Sequence, residues 1–243
     1  MDRTKVSLDR EAVPLLIRPY LKGAVISDSS CSDTARTYRI EGDVSAFLKI
    51  SRKGALEREC GMTAFLHGHR LAPAVIAYES DAESDYLLTE AVSGEDGTAR
   101  SHLDHPRRLA GAFGEYLRML HSLPTDGCPY RDRTAEMVRE AAEKEANLGA
   151  LKEIRYAAAD DTVIHGDYCL PNIVMDRFSF KGFIDVGSGG VGDRHCDLYW
   201  GLWTLAFNLK TDAYNGLFLD AYGRSAVDAD GLAYFAKLAE LTD

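Results

Sequence analysis

The stretch 165-HGDYCLPNIVMD-176, followed by 182-GFIDVGSGGVGD-193, decides how this chain is read. Two short apolar runs, 173–175 and 180–184, flank a turn at 176–179, the pattern of a β-hairpin. Asp167 and Asn172 precede the first run, and Asp185 closes the second. A hairpin sets the start of one strand opposite the end of the other, so Asn172 and Asp185 are expected to be neighbours. Two carboxylates and one amide are all oxygen donors. Such donors suit a hard cation that keeps several of its waters, which points to Mg²⁺. A single Asp near a turn is ordinarily capping chemistry. Three such groups in this order, after His-Gly and Phe-Ile, argue for a site instead.

Two other readings of the same stretch are weaker. His165 has the side chain of a general base, but it follows Val163-Ile164 and precedes a Gly-Asp turn, so a buried structural histidine is expected. Cys169 with His165 suggests a thiol nucleophile, yet nothing nearby supplies an oxyanion hole, and that reading is rejected.

Far upstream, Lys49 interrupts 46-AFLKI-50, a run that a half-buried strand fills with apolar side chains. Buried lysine needs a partner. Glu59, ten residues later on a helical segment, is the candidate. A strand lysine paired with a helix glutamate, together with downstream metal ligands, is the arrangement that protein kinases use.

The rest of the chain frames these residues. Runs 35–41 and 44–51 flank Gly42-Asp43, a second hairpin signal. Residues 54–68 have helical spacing, and 74–80 and 85–91 read as strands joined by an acidic turn, giving a β-β-α-β-β unit. The polar, glycine-rich stretch 92-VSGEDGTARS-101 is expected to be a hinge or linker. Beyond it the pattern turns helical. One stripe carries Leu109, Phe113, Tyr116, Leu117 and Leu120 after Pro106, and a second helix is expected over 134–152 with Thr134 as its N-cap. Three more helices are expected near 195–208, 212–222 and 230–241. The fold class that results is α+β. A small antiparallel sheet with one helix occupies 1–91, and a larger, mainly helical lobe occupies 102–243.

Composition removes several classes. Lys and Arg total 28 against 38 Asp and Glu, a formal charge of −10. Nucleic-acid binding needs a basic face, so no nucleic acid is expected as partner. The longest apolar-leaning runs, 71–78 and 200–207, are eight residues each, against roughly 20 for a bilayer span, so no membrane is expected either. The start, MDRTKVSLDR, lacks an apolar signal core. Five cysteines without zinc-type spacing read as reduced thiols of a cytoplasmic protein.

Taken together, these motifs resemble the aminoglycoside phosphotransferase family, which has a protein-kinase-like fold, and especially its 3′-hydroxyl-directed branch. The resemblance runs through 31-CSDTARTYRI-40, 47-FLKI-50, 57-EREC-60, 65-FLHG-68, 87-LLTEAVSGED-96, 117-LRMLHSL-123, 128-CPY-130 and the two stretches quoted first. It implies an ATP-dependent transfer of the γ-phosphate to a small-molecule hydroxyl, with GTP left open as donor. Asp167 is then the catalytic aspartate, and Asn172 and Asp185 are the Mg²⁺ ligands. Lys49, held by Glu59, contacts the phosphates. Ser32 and Asp33 lie in the loop over the phosphates, and the backbone of Thr89 to Ala91 holds the adenine. Asp197 is read either as a brace for the catalytic loop or as a helix cap.

The acceptor end departs from the family pattern. Ser188 stands where these enzymes usually carry arginine, and Trp203 and Phe207 stand where they offer charge. The terminal 238-LAELTD-243 keeps Glu240 but has Ala239 and Thr242, with Asp243 as a compensating acid. Glu240 and Asp243 are therefore the expected acceptor contacts. Trp200 and Trp203 are read first as core residues, and otherwise as aromatic walls for a cationic or sugar-like acceptor. The excess acid of 80-SDAESD-85 and 139-REAAEKEAN-147 is expected to lie away from the phosphates. An aminoglycoside is the leading acceptor. A choline-like or other hydroxylated amine, another antibiotic, or a nucleotide-binding scaffold without turnover are the alternatives, and the oligomeric state stays open.

Overall fold

The computed structural model describes residues 4–31, 33–144 and 147–242. The chain divides into two compact units, Met1–Val92 and Ser93–Asp243.

The first unit is a five-stranded antiparallel sheet of β1 (Val25–Asp28), β2 (Ala35–Glu41), β3 (Ser45–Arg52), β4 (Val75–Ser80) and β5 (Ser84–Glu90), in the order β1-β2-β3-β5-β4. One helix, α1 (Glu57–Gly68), follows β3. The period of two along a strand explains the core. Ile40, Ala46, Leu48 and Leu88 face one side, where Val13, Ile17 and Leu21 pack on them. Those last three come from the segment before β1, which has no strand pattern and went unread in the sequence. Lys49 and its cross-strand partners Thr37 and Leu87 share the opposite face.

The second unit contains β6 (Glu95–Asp96), α2 (Arg100–Leu103), α3 (Pro106–His121), α4 (Arg133–Glu143) and α5 (Gly149–Lys152). It continues with β7 (Thr162–Ile164), β8 (Ile173–Asp176), β9 (Ser179–Phe183) and β10 (Gly190–Gly192), then α6 (Arg194–Leu209), α7 (Asn215–Tyr222) and α8 (Ala229–Thr242). The stripe on α3 is buried: Leu109, Phe113, Leu117 and Leu120 are fully inaccessible. α3 meets α7 closely because residue 114 is glycine; a Cβ there would lie 2.3 Å from the Phe218 carbonyl oxygen. β8 and β9 form the expected hairpin, with Ile173 opposite Phe183.

Two expectations need correction. Residues 92–101 are not a bare connector: Glu95 and Asp96 pair with Met175 and Val174 of β8, and α2 begins at Arg100. The helix expected over 134–152 is two helices. α4 ends at Glu143, and a new turn starts at Gly149, whose N–H donates to Asn147 Oδ1 at 3.0 Å. Thr134 does not cap α4. Its hydroxyl accepts from the Asp193 N–H at 3.1 Å, because a buried amide nearby competes for it. Among the described residues no helix is long and apolar enough to cross a membrane.

Candidate active site

In the first unit, Lys49 Nζ lies 2.7 Å from Glu59 Oε2. Strand alternation points the lysine off the core face, and Glu59, in the first turn of α1, is buried. The ten-residue spacing read from the sequence thus becomes a contact. Asp33 is exposed between β1 and β2, while Ser32 lies outside the described residues. At the end of β5, the Glu90 N–H donates to Ala74 O and the Ala91 N–H to Ser45 O, each at 2.9 Å. Thr89 pairs with Phe47 and Val75. The amides of residues 90 and 91 are therefore engaged within the sheet.

In the second unit the loop between β7 and β8 carries Asp167 and Asn172. The Asn172 amide nitrogen donates to Asp167 Oδ2 at 2.9 Å and to the Asp167 carbonyl at 3.0 Å. Asn172 is buried, and its own carbonyl accepts the Ile184 N–H at 3.0 Å. Asp185, the next residue, is exposed and has left-handed backbone, φ 55°. Asp tolerates that conformation better than most residues. The hairpin therefore does what the sequence suggested: it brings the start of β8 beside the end of β9.

The loop is held rigidly. Asp197, in the first turn of α6, is completely buried; its Oδ2 accepts the His165 N–H at 2.7 Å and its Oδ1 the Gly166 N–H at 2.8 Å. It braces the loop. Gly166 has φ +80°, and a Cβ on it would sit 2.0 Å from the Ser188 carbonyl oxygen, so only glycine fits. The His165 ring is fully buried with Nε2 3.1 Å from Ile184 O, a position from which it ties the loop to the residue before Asp185. Burial and the neighbouring Asp167 carboxylate push the Cys169 thiol far above its ordinary range, which agrees with rejecting a thiolate nucleophile.

Asn172 and Asp185 supply an amide and a carboxylate oxygen, the donor chemistry Mg²⁺ prefers. Among the described residues no group of three His, Cys, Asp or Glu side chains could hold a metal by itself. A cation here would take few protein ligands and keep its waters.

A pocket of about 150 Å³ opens beside the loop, lined among others by Arg133, Glu140, Gly166, Ser188, Trp200 and Thr242. Arg133 is buried. Its Nε donates to the Ser188 carbonyl at 2.9 Å, and its Nη1 to Glu136 and Glu140 at 3.0 and 2.9 Å. Among the described residues the acid lining this pocket is Glu140, from the 139–147 run that was expected to lie away from the phosphates. Glu240 does not line it; it is exposed and ion-paired with Lys237 at 2.7 Å. Asp243 lies outside the described residues. Ala239 is buried and lines the pocket, and the Thr242 hydroxyl donates back to Leu238 and Ala239 carbonyls. Trp200 packs partly into the core, but Trp203 and Phe207 are 45% and 55% exposed and stack on each other at 5.1 Å, so the core reading fails for Trp203. The i, i+4 spacing turns both outward on α6. Arg133 was missed because one arginine in a helical stretch carries no sequence signal of burial.

A lysine–glutamate pair on a small antiparallel sheet, and an aspartate–asparagine loop with its hairpin in a mainly helical unit, define the class of kinase-like phosphotransferases. The family model described as "Phosphotransferase enzyme family" matches residues 32–240. A probable aminoglycoside 3′-phosphotransferase of Lactococcus lactis subsp. lactis (strain IL1403) is 38% identical, the alignment covering 94% of each chain. The streptomycin 3″-kinase of Streptomyces griseus is 33% identical over 77% of this chain and 80% of its own. Among solved structures, an aminoglycoside-3′-phosphotransferase of type VIII has a TM-score of 0.75 and 26% identity, covering 94% of this chain and all of its own. The chain belongs to the phosphotransferase enzyme family.

Proposed function

We propose that this protein is an ATP-dependent kinase that moves the γ-phosphoryl group to a hydroxyl of an aminoglycoside, the 3′-hydroxyl first among them. The observation that carries the reading is the Asn172–Asp167 contact at 2.9 Å on a loop whose amides are fixed by buried Asp197. Phosphoryl transfer asks a protein for positioning and charge neutralisation more than covalent chemistry. Asp167 orients the acceptor hydroxyl and takes its proton as the bond to phosphorus forms. Asn172 donates to that carboxylate and so fixes its direction, leaving its amide oxygen for a cation. Lys49, steadied by Glu59, neutralises phosphate charge. Mg²⁺, when bound to Asn172 and Asp185, supplies further neutralisation of the phosphates.

In this reading residues 1–91 bind the nucleotide, through Lys49, the loop at Ser32 and Asp33, and the strand end Thr89 to Ala91. Residues 102–243 hold the catalytic loop and the acceptor, and a nucleotide-dependent enzyme of this kind works in the cytoplasm. The acceptor is a cationic, sugar-like molecule, and Glu140 is the acid that meets it.

Asp167→Asn is the test. Turnover with ATP and a kanamycin-type acceptor is expected to fall by roughly 10²- to 10⁴-fold, with ATP affinity within about twofold of the parent. Turnover within tenfold of the parent overturns the assignment. The same assay run with GTP, and across aminoglycosides and simple amino alcohols, decides donor and acceptor; magnesium-dependent ATP binding without turnover on any acceptor would favour the scaffold.

A further inference from the structure

His121, the last residue of α3, takes no part in the chemistry described above, yet its side chain is only 4% exposed. Its Nε2 lies 3.1 Å from Asp197 Oδ2, and its Nδ1 lies 2.9 Å from the Tyr222 hydroxyl at the end of α7. A carboxylate only accepts, so the His121 imidazole carries a proton on Nε2 and donates it to Asp197. Nδ1 then accepts from the Tyr222 hydroxyl. A chain of donors therefore runs from Tyr222 through His121 to the carboxylate that receives the His165 and Gly166 amides.

We infer that His121 is a positioning residue for phosphoryl transfer: through Asp197 it fixes the two backbone amides that aim the Asp167 loop. The inference rests on the reading of Asp167 as the carboxylate that orients the acceptor hydroxyl. Asp197 Oδ2 serves both His121 and the His165 amide, so losing the imidazole leaves a fully buried carboxylate one donor short. Such a group turns toward another donor, and that weakens its grip on the loop. The loop has no slack to absorb this. Gly166 already lies so close to the Ser188 carbonyl that a Cβ has no room, and the next residue is Asp167. A displacement therefore reaches the catalytic carboxylate directly. Nucleotide and acceptor are held by other groups, so the loss falls on kcat rather than on KM.

The experiment compares His121→Leu, His121→Gln and Tyr222→Phe, with Asp167→Asn alongside. The leucine variant is expected to lose roughly 10- to 100-fold in kcat, with KM for ATP and acceptor within about twofold. The glutamine variant keeps a donor that reaches Asp197 and is expected to recover most of that loss. Tyr222→Phe releases Nδ1 and lowers kcat a few-fold at unchanged KM. In ¹⁵N spectra of the histidine-labelled parent, His121 shows the Nε2–H tautomer, and Tyr222→Phe keeps that tautomer with a shifted Nδ1 signal. A folded leucine variant with kcat within twofold of the parent, or a glutamine variant no better than leucine, overturns the inference. If the leucine variant does not fold, Tyr222→Phe decides alone, and an unchanged kcat overturns it. An active Asp167→Asn would instead bring down the reading of the site itself, a result distinguishable from the others.

Discussion

The loop-and-hairpin region over 162–193 and the pocket wall formed by α4, α6 and α8 belong to the same unit but are built by opposite rules. In the first region, groups close in sequence meet through short backbone geometry: Asn172 lies five positions after Asp167, and one hairpin joins Asn172 to the neighbourhood of Asp185. In the second, the lining comes from residues as far apart as Arg133, Trp200 and Thr242. The first is held by buried hydrogen bonds to Asp197; the second includes a side-chain carboxylate, Glu140, that is 55% exposed. A substitution in the loop should therefore cost far more than one on the wall.

Gly166→Ala should show the largest effect. It must place a Cβ against the Ser188 carbonyl at positive φ, which costs about 3 kcal/mol. A drop in Tm of roughly 6–12 °C and a loss of about 100-fold in kcat are expected, read by thermal unfolding and by the acceptor assay. A variant as stable and active as the parent would mean the loop is not rigid, and the contrast between the regions would fail.

Asp193→Asn comes next. Asp193 is buried, which opposes ionisation, but hydrogen bonds from His195, Tyr156 and the Ala159 amide outweigh burial and hold its carboxyl below the ordinary range. A depressed folded-state pKa contributes stability that is present above the unfolded value of about 3.9 and is lost as pH falls through the folded pKa. The asparagine variant should be less stable by about 2 kcal/mol at pH 7. The gap in Tm should close below about pH 4; a gap that stays constant from pH 7 to pH 3 would show that the charge contributes nothing.

The smallest effects belong to the wall, and they sharpen the comparison by separating two acids. Glu140→Gln should raise KM for a cationic acceptor several-fold with little change in Tm, since the exposed amide can still accept from Arg133 and Glu136 still pairs with that guanidinium. Glu240→Gln, whose partner is Lys237 outside the pocket, should change neither KM nor Tm measurably. The reverse order of effects would return the chain end to the acceptor site.

The same contrast explains what could be read in advance. His165 to Asp185 was legible because its chemistry sits within one turn-and-hairpin motif, where spacing alone brings groups together. Lys49–Glu59 was legible because a charged residue inside an apolar strand demands a partner. The segment before β1 was not: Val13, Ile17 and Leu21 recur at i, i+4 spacing, but Pro14 and Pro19 interrupt the pattern and only a short helical turn forms over Arg18–Leu21. Nor was the new turn at Gly149, whose N–H donates to Asn147, nor the outward turn of Trp203, whose place on α6 depends on which face the neighbouring helices cover.

By itself, then, the sequence determined the α+β class, the two hairpins, the lysine–glutamate pair and the aspartate–asparagine–aspartate order, because each follows from local periodicity or from the cost of burying a charge. Only the tertiary structure decided that Asp197 braces the loop, that Arg133 lies under Ser188, and that Glu140 rather than Glu240 faces the pocket. The first two contacts join residues 31 and 55 positions apart, and the pocket gathers residues from three helices. At such separations no spacing rule applies, and packing alone selects which polar groups meet.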